Sequence, residues 1–191
     1  EDEIDFRKDF QTAAKCTASF AAVELKGHLE KTLSNAEISI VSERKNSDFF
    51  IEFRIGNEKS DSAGFYLEPA DGGLVICGES RKGLLYGVYE LLRLNGWRWH
   101  FPGKAGELAP LYSNELRIPE TKQEYAPSMS LGRGLDFAFL SMDSGEMFLW
   151  MARNRLDTAS YRPLTGQFCR KLGMTFKNGG HIFEKILDPD R

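Results

Sequence analysis

The stretch "SRKGLLYGVYELLRLNGWRWHFPG", residues 80–103, limits the possible folds of this chain more than any other. Ser80 or Arg81 opens a helix that carries Leu84, Leu85, Val88, Tyr89, Leu91 and Leu92. These positions cover more than one helical face, so the spacing predicts a helix buried on several sides. Asn95-Gly96 supplies the left-handed cap that ends helices. Trp97, Trp99 and Phe101 then alternate with Arg98 and His100, which is strand periodicity, and Pro102-Gly103 closes the run. A largely buried helix needs neighbours on more than one side, and the rest of the sequence must supply them.

Upstream, Thr17–Leu33 reads as a helix with Thr17 as N-cap and Ala18, Ala22, Leu25, Leu29 and Leu33 at helical spacing. "AEISIV" alternates at Ile38 and Ile40 and reads as a strand. "FFIEFRIG" sets Phe49, Ile51, Phe53 and Ile55 against Phe50, Glu52 and Arg54, a half-buried strand. "GFYLEPADGGLVICG" is two β runs around Asp71, Gly72 and Gly73, a hairpin signal. Residues 1–120 therefore predict an α+β unit, a mixed and largely antiparallel sheet with helices packed on one face. Residues 121–127 are polar and read as a linker.

From residue 128 the pattern changes to βαβαβ, the α/β signature of parallel strands joined by crossover helices. "SMSLGRGLDFAF", "DTASY" and "MTFKNGGHIF" read as strands. "GEMFLWMARNRL" is a helix with Met147, Trp150 and Met151 on one face, and Asp143 with Glu146 forms a capping box before it. Residues 166–172 are a short helix ended by Gly173. A closed eight-fold barrel takes roughly 250 residues, so residues 128–191 supply about two and a half of its units. Such an incomplete TIM-barrel segment leaves strand edges and helix faces open, which predicts oligomerisation through that surface.

Composition excludes several classes. Net charge is −3, so no strong field favours nucleic acid. No apolar run reaches the roughly 20 residues of a membrane span. The three cysteines, Cys16, Cys77 and Cys169, are far apart and form no CxxC pair, so they read as small buried side chains rather than a zinc or disulfide framework. His28, His100 and His181 stand apart and no HExxH occurs. No metal or cofactor is expected. The chain begins at Glu1 with an acidic run, which reads as a processed product, periplasmic or extracellular after signal-peptide removal.

The residues 80–103 motif, the helix "TASFAAVELKGHLEKTL" and the hairpin "GFYLEPADGGLVICGES" resemble, in order and spacing, the N-terminal domain of α-glucuronidases. They also resemble the second domain of β-N-acetylhexosaminidases, the chitobiase domain 2-like fold. The likeness is strongest to bacterial α-glucuronidase-like proteins. "SLGRGLDF", "FLWMARNRLD" and "NGGHIF" are similar to the first strand–helix steps of the (β/α)8 barrel that follows in those families. The resemblance implies the amino-terminal portion of a glycoside hydrolase, with a glycan as partner. Such enzymes use paired carboxylates, or one carboxylic acid with a substrate acetamido group. In related hexosaminidase-like barrels the general acid stands after the fourth strand, and this sequence reads only through the third. No catalytic acid is therefore assigned, and the chain alone is expected to be inactive. The alternative is a non-catalytic module that binds glycans or another protein.

Four residues are candidates for sugar contact. Arg133 in "GRG" matches the Arg-Gly that holds sugar hydroxyls in related barrels, and its five fixed donors suit vicinal hydroxyls; the alternative is an ion pair with Asp136. Asp136 is accordingly either a carboxylate near the site or the partner of Arg133. His181 in "NGGH" falls where the third strand ends, and the alternative is a surface loop histidine. Asn154 either reaches the site or simply ends the first helix of the second region. Trp97 and Trp99 read as core packing between the two regions rather than as sugar platforms.

Overall fold

The computed structural model describes residues 4–43, 47–111, 115–128, 133–134, 145–159 and 166–176. Helix α1 spans Phe10–Leu29. Its N-cap is Asp9, whose Oδ1 accepts from the Thr12 amide at 3.0 Å. Thr17, expected to be the cap, is instead fully buried inside the helix. Its hydroxyl donates to the Lys171 carbonyl at 2.7 Å. A threonine can serve in either place because its oxygen bonds backbone equally well within a chain segment and across a packing contact. Residues 36–41 form no strand. Ile38 packs against the core and its carbonyl accepts from Lys26, while Ile40 and Val41 are exposed. Alternation alone does not make a strand where no neighbour offers a ladder.

Strand β1 is Phe50–Ile55, β2 is Phe65–Ala70 and β3 is Gly73–Gly78. β2 and β3 form the predicted hairpin, with Ala70 opposite Gly73 and Gly72 turning at a φ of +69°. β1 lies parallel to β3 on its other side. A short strand β6, Gln123–Tyr125, pairs antiparallel with β2. The stretch read as a linker thus completes the sheet, in the order β1-β3-β2-β6, and Tyr125 stacks on Phe65 with centroids 4.7 Å apart. The sheet is mixed and largely antiparallel, as the sequence predicts.

Helix α2, Arg81–Leu94, is the centre of the molecule. Ser80 caps it, accepting from the amides of Lys82 and Gly83. Residues 82–92 are all buried. The glycines in "GLLYG" explain how the helix sits so near the sheet. A Cβ on Gly83 would lie 2.2 Å from the Gly64 carbonyl oxygen, and one on Gly87 would lie 2.6 Å from Ile76 Cγ2. Spacing of four puts both glycines on the sheet-facing side. Beneath them Leu67, Leu74 and Ile76 are fully buried. α1 packs beside α2, and helices α1 and α2 cover this one face of the sheet.

After α2, Gly96 takes the left-handed conformation, φ +94°. The aromatic strand is shorter than the alternation predicts. β4 is only Arg98–Trp99, paired antiparallel with β5, Glu107–Leu108. Phe101 lies beyond it and is 52% exposed. Trp97 and Trp99 are buried, as expected of core residues.

The second region packs on the outer side of α2. Helix α3 is Gly145–Arg153, β7 is Thr158–Ala159, α4 is Gly166–Lys171 and β8 is Thr175–Phe176. β7 and β8 are parallel, and Gly134 bridges Thr158 in parallel. One rung therefore runs Gly134–Thr158–Thr175, with α3 and α4 as the two crossovers. Gly173 ends the α4 turn at φ +75°. Met147, Met151, Cys169 and Leu172 join the same core as Leu84, Leu91 and Trp97. Asp143 and the rest of the first and third predicted strands lie outside the described residues.

Candidate functional site

Of the four predicted site residues, Arg133 and Asn154 are among the described ones, and Arg133 lies beside this parallel rung. Arg133 immediately precedes Gly134 and stands level with Asp157. Its amide donates to Asp157 Oδ1 at 2.6 Å, and its carbonyl accepts from the amides of Asp157 and Thr158 at 2.6 and 2.9 Å. Its Nε is buried without a hydrogen-bond partner among the described residues. Asp157 is the last residue of the turn that leads from α3 into β7. Arg133 thus lies at the end of the rung where the strands begin.

Asn154 ends α3. Its amide nitrogen donates to the carbonyls of Trp99 and Trp150, each at 3.0 Å. The helix-ending alternative for Asn154 matches this placement, and its donor capacity is committed to backbone. Asp136 and His181 lie outside the described residues.

Around Arg133 the structure gathers charges that patterning did not single out. Lys82, 3% exposed, sits in the first turn of α2. Its Nζ lies 3.0 Å from Asp61 and 3.6 Å from Asp157. Thr175 donates to the other oxygen of Asp61 at 2.8 Å. The phenol of Tyr86, fully buried, has no hydrogen-bond partner among the described residues. Burial, with Asp157 adding to it, pushes that phenol far above the ordinary tyrosine range.

Two more charge clusters, partly buried, accompany this one. Glu90 on α2 is held by Arg93 at 3.1 Å and by Arg155 at 3.2 Å. Arg155 adopts φ +59°, a left-handed conformation normally left to glycine or asparagine after a helix. In the other, Arg153 of α3 reaches Glu24 on α1 at 3.0 Å and Glu107 on β5 at 3.2 Å. Arg81 completes the seam, donating to Thr17 at 3.0 Å and to the last carbonyls of α4. Burial lowers the Arg81 guanidinium below its ordinary value.

These groups are ion pairs and backbone clamps. None sets a nucleophile beside a free base. Asp157 already has three partners and Lys82 is paired with two carboxylates. Their work is to join the sheet unit to the parallel strands. The signal that could have found them is the charge in "RKGLLYGVYELL": Lys82 and Glu90 in a helix buried on all sides must each be paired.

Among the described residues no group of three metal-ligating side chains occurs, and no helix is long and apolar enough to cross a membrane. No protein-family model matches the sequence, and no curated protein is significantly similar to it.

Proposed function

We propose that this chain is the supporting, amino-terminal part of a carbohydrate-active protein of the glycoside hydrolase class. In this reading the sheet unit, through α2, braces the opening strand–helix steps of a (β/α)8 barrel. The observation that carries it is the rung Gly134–Thr158–Thr175, three parallel segments with helical crossovers, seated on a helix shared with the sheet. Parallel barrels recruit their sites from the residues that follow each strand. Asp136 and His181 follow Gly134 and Phe176 in the chain and are the candidates for sugar contact. Arg133 and Asn154, which precede Gly134 and Thr158 in the chain, are positioning residues. The chain carries no assigned catalytic acid and turns over no substrate by itself.

The test is a panel of aryl glycosides and free glycans that includes uronic acids, N-acetylhexosamines and plain hexoses. The purified chain should hydrolyse none above background. Glycan binding should weaken in Asp136→Ala and His181→Ala and persist in Asn154→Ala. Turnover by the chain, or binding lost only in Asn154→Ala, would overturn the reading. The exposed side chains of Phe101, Leu108 and Leu111, at 52, 54 and 93%, favour a second reading, a protein-interaction module. Binding of no glycan in the panel would leave that one standing.

A further inference from the structure

His28 lies in the last turn of α1 and is 3% exposed. Its Nδ1 is 2.7 Å from the Glu24 carbonyl oxygen. A carbonyl cannot donate, so Nδ1 carries the proton and the neutral ring keeps its lone pair at Nε2. Nε2 is buried, has no hydrogen-bond partner among the described residues, and lies 3.7 Å from Glu107 Oε2. Two acceptors thus stand close together with no hydrogen bond joining them.

Other groups fix that opposition. Lys31, just past α1, holds Glu107 Oε1 at 3.1 Å. Arg153 of α3 holds Glu107 Oε2 at 3.2 Å. Glu24 of α1 takes Arg153 at 3.0 Å and the Tyr89 hydroxyl of α2 at 3.1 Å. Trp97, just before β4, and Trp99 within it meet the imidazole edge-on, with centroids 4.5 and 5.6 Å away. The titratable groups around the ring are thus Glu24, Lys31, Tyr89, Glu107 and Arg153. Every structural element at the joint contributes one or packs an indole on it.

We propose that His28 and Glu107 form a proton-operated latch, in which a proton taken up at Nε2 competes with Arg153 for Glu107 Oε2 and loosens α3 from α1 and β5. The proton comes from solvent, an N–H bond forms at Nε2, and the cluster gains one positive charge. That charge meets the carboxylate oxygen that Arg153 now uses. It also repels the guanidinium, which is left with Glu24 alone. Burial lowers the basicity of the ring, which places the event on the acid side of neutrality.

The experiment is amide hydrogen exchange of residues 145–153 in the whole chain at pH 7.5 and 5.0, corrected for intrinsic rates. Imidazole titration is followed by NMR in parallel. Protection of α3 should fall about fivefold on acidification, the factor supplied by one weakened ion pair. His28→Asn, whose amide can still donate to the Glu24 carbonyl, should show no such fall. If that variant does not fold, Glu107→Gln replaces it, and should both abolish the response of α3 and lower the titration midpoint of His28. A His28 ring that does not titrate between these pH values, or an equal loss of protection in either variant, overturns the proposal.

Discussion

The indole Nε1 of Trp150 donates to the backbone carbonyl of Trp99 at 3.0 Å. Asn154 donates to the same oxygen, also at 3.0 Å. One carbonyl of the sheet unit thus accepts from α3 and from the residue that follows it. Trp150→Phe and Asn154→Ala should each cost about 1 kcal/mol of stability, the net worth of one hydrogen bond. The double variant leaves that oxygen without either partner and should lose more than the sum of the two. Urea unfolding of the four proteins in the cycle measures this.

Lys82 offers a sharper test of the seam. Removing the cation in Lys82→Met leaves Asp157, 6% exposed, as a carboxylate with no counter-charge. Breaking a buried pair in this way costs about 3–5 kcal/mol. Lys82→Met combined with Asp157→Asn should recover a large share of that loss, because no orphaned charge remains. A double variant no more stable than Lys82→Met would mean that Asp157 is not the group left exposed to the penalty.

Two glycines on neighbouring helices should respond in opposite directions. A Cβ on Gly27 of α1 would meet nothing within 4 Å. Gly27→Ala should therefore stabilise by about 0.5–1 kcal/mol, through helix propensity. Gly83→Ala would drive its methyl into the backbone of Gly64, which cannot swing aside as a side chain can. It should destabilise by more than about 3 kcal/mol or prevent folding. Thermal midpoints of the two variants check both signs.

Stability should decline on acidification in two separate windows. Burial lowers His28 below its ordinary value of 6.5, against the opposing pull of Glu24. Between its folded pKa and 6.5 the unfolded chain binds more protons than the native one, so stability is retained above 6.5 and falls as pH drops through it. Glu107 behaves as a depressed carboxylate. Burial raises it, but the Lys31 hydrogen bond and the charges of His28, Lys31 and Arg153 outweigh that and bring it below 4.5. Its contribution is present above 4.5 and disappears as pH falls through the folded value. The urea midpoint measured from pH 8 to 3 should show an upper step that His28→Asn removes and a lower step that it leaves.

What could be read from the sequence was whatever repeats with a fixed period. The β2–β3 hairpin, the start of α2 at Ser80 or Arg81, its end at Asn95-Gly96 and the burial of more than one of its faces follow from spacing and turn chemistry. The parallel order of Gly134, Thr158 and Thr175 follows from alternating strand and helix patterns. Periodicity misled where a partner decides the outcome. Residues 36–41 alternate but find no ladder, and Gln123–Tyr125 is polar yet pairs with β2 because its backbone, not its side chains, is what the sheet edge needs. The seam was the least visible part. Lys82 with Asp157 and Arg153 with Glu24 are separated by 75 and 129 positions, and no local pattern couples residues so distant. Asn154 illustrates the same limit, since its partner Trp99 stands 55 residues upstream.

Helix α2 is common property. Gly83 and Gly87 face the sheet, while Lys82 and Glu90 answer residues that arrive much later in the chain. A genetic exchange that replaced either half would have to rewrite the matching side of this one helix at the same time. The two halves are therefore coupled through one helix, and a graft that borrows only one of them should carry the α2 surface suited to its new neighbour.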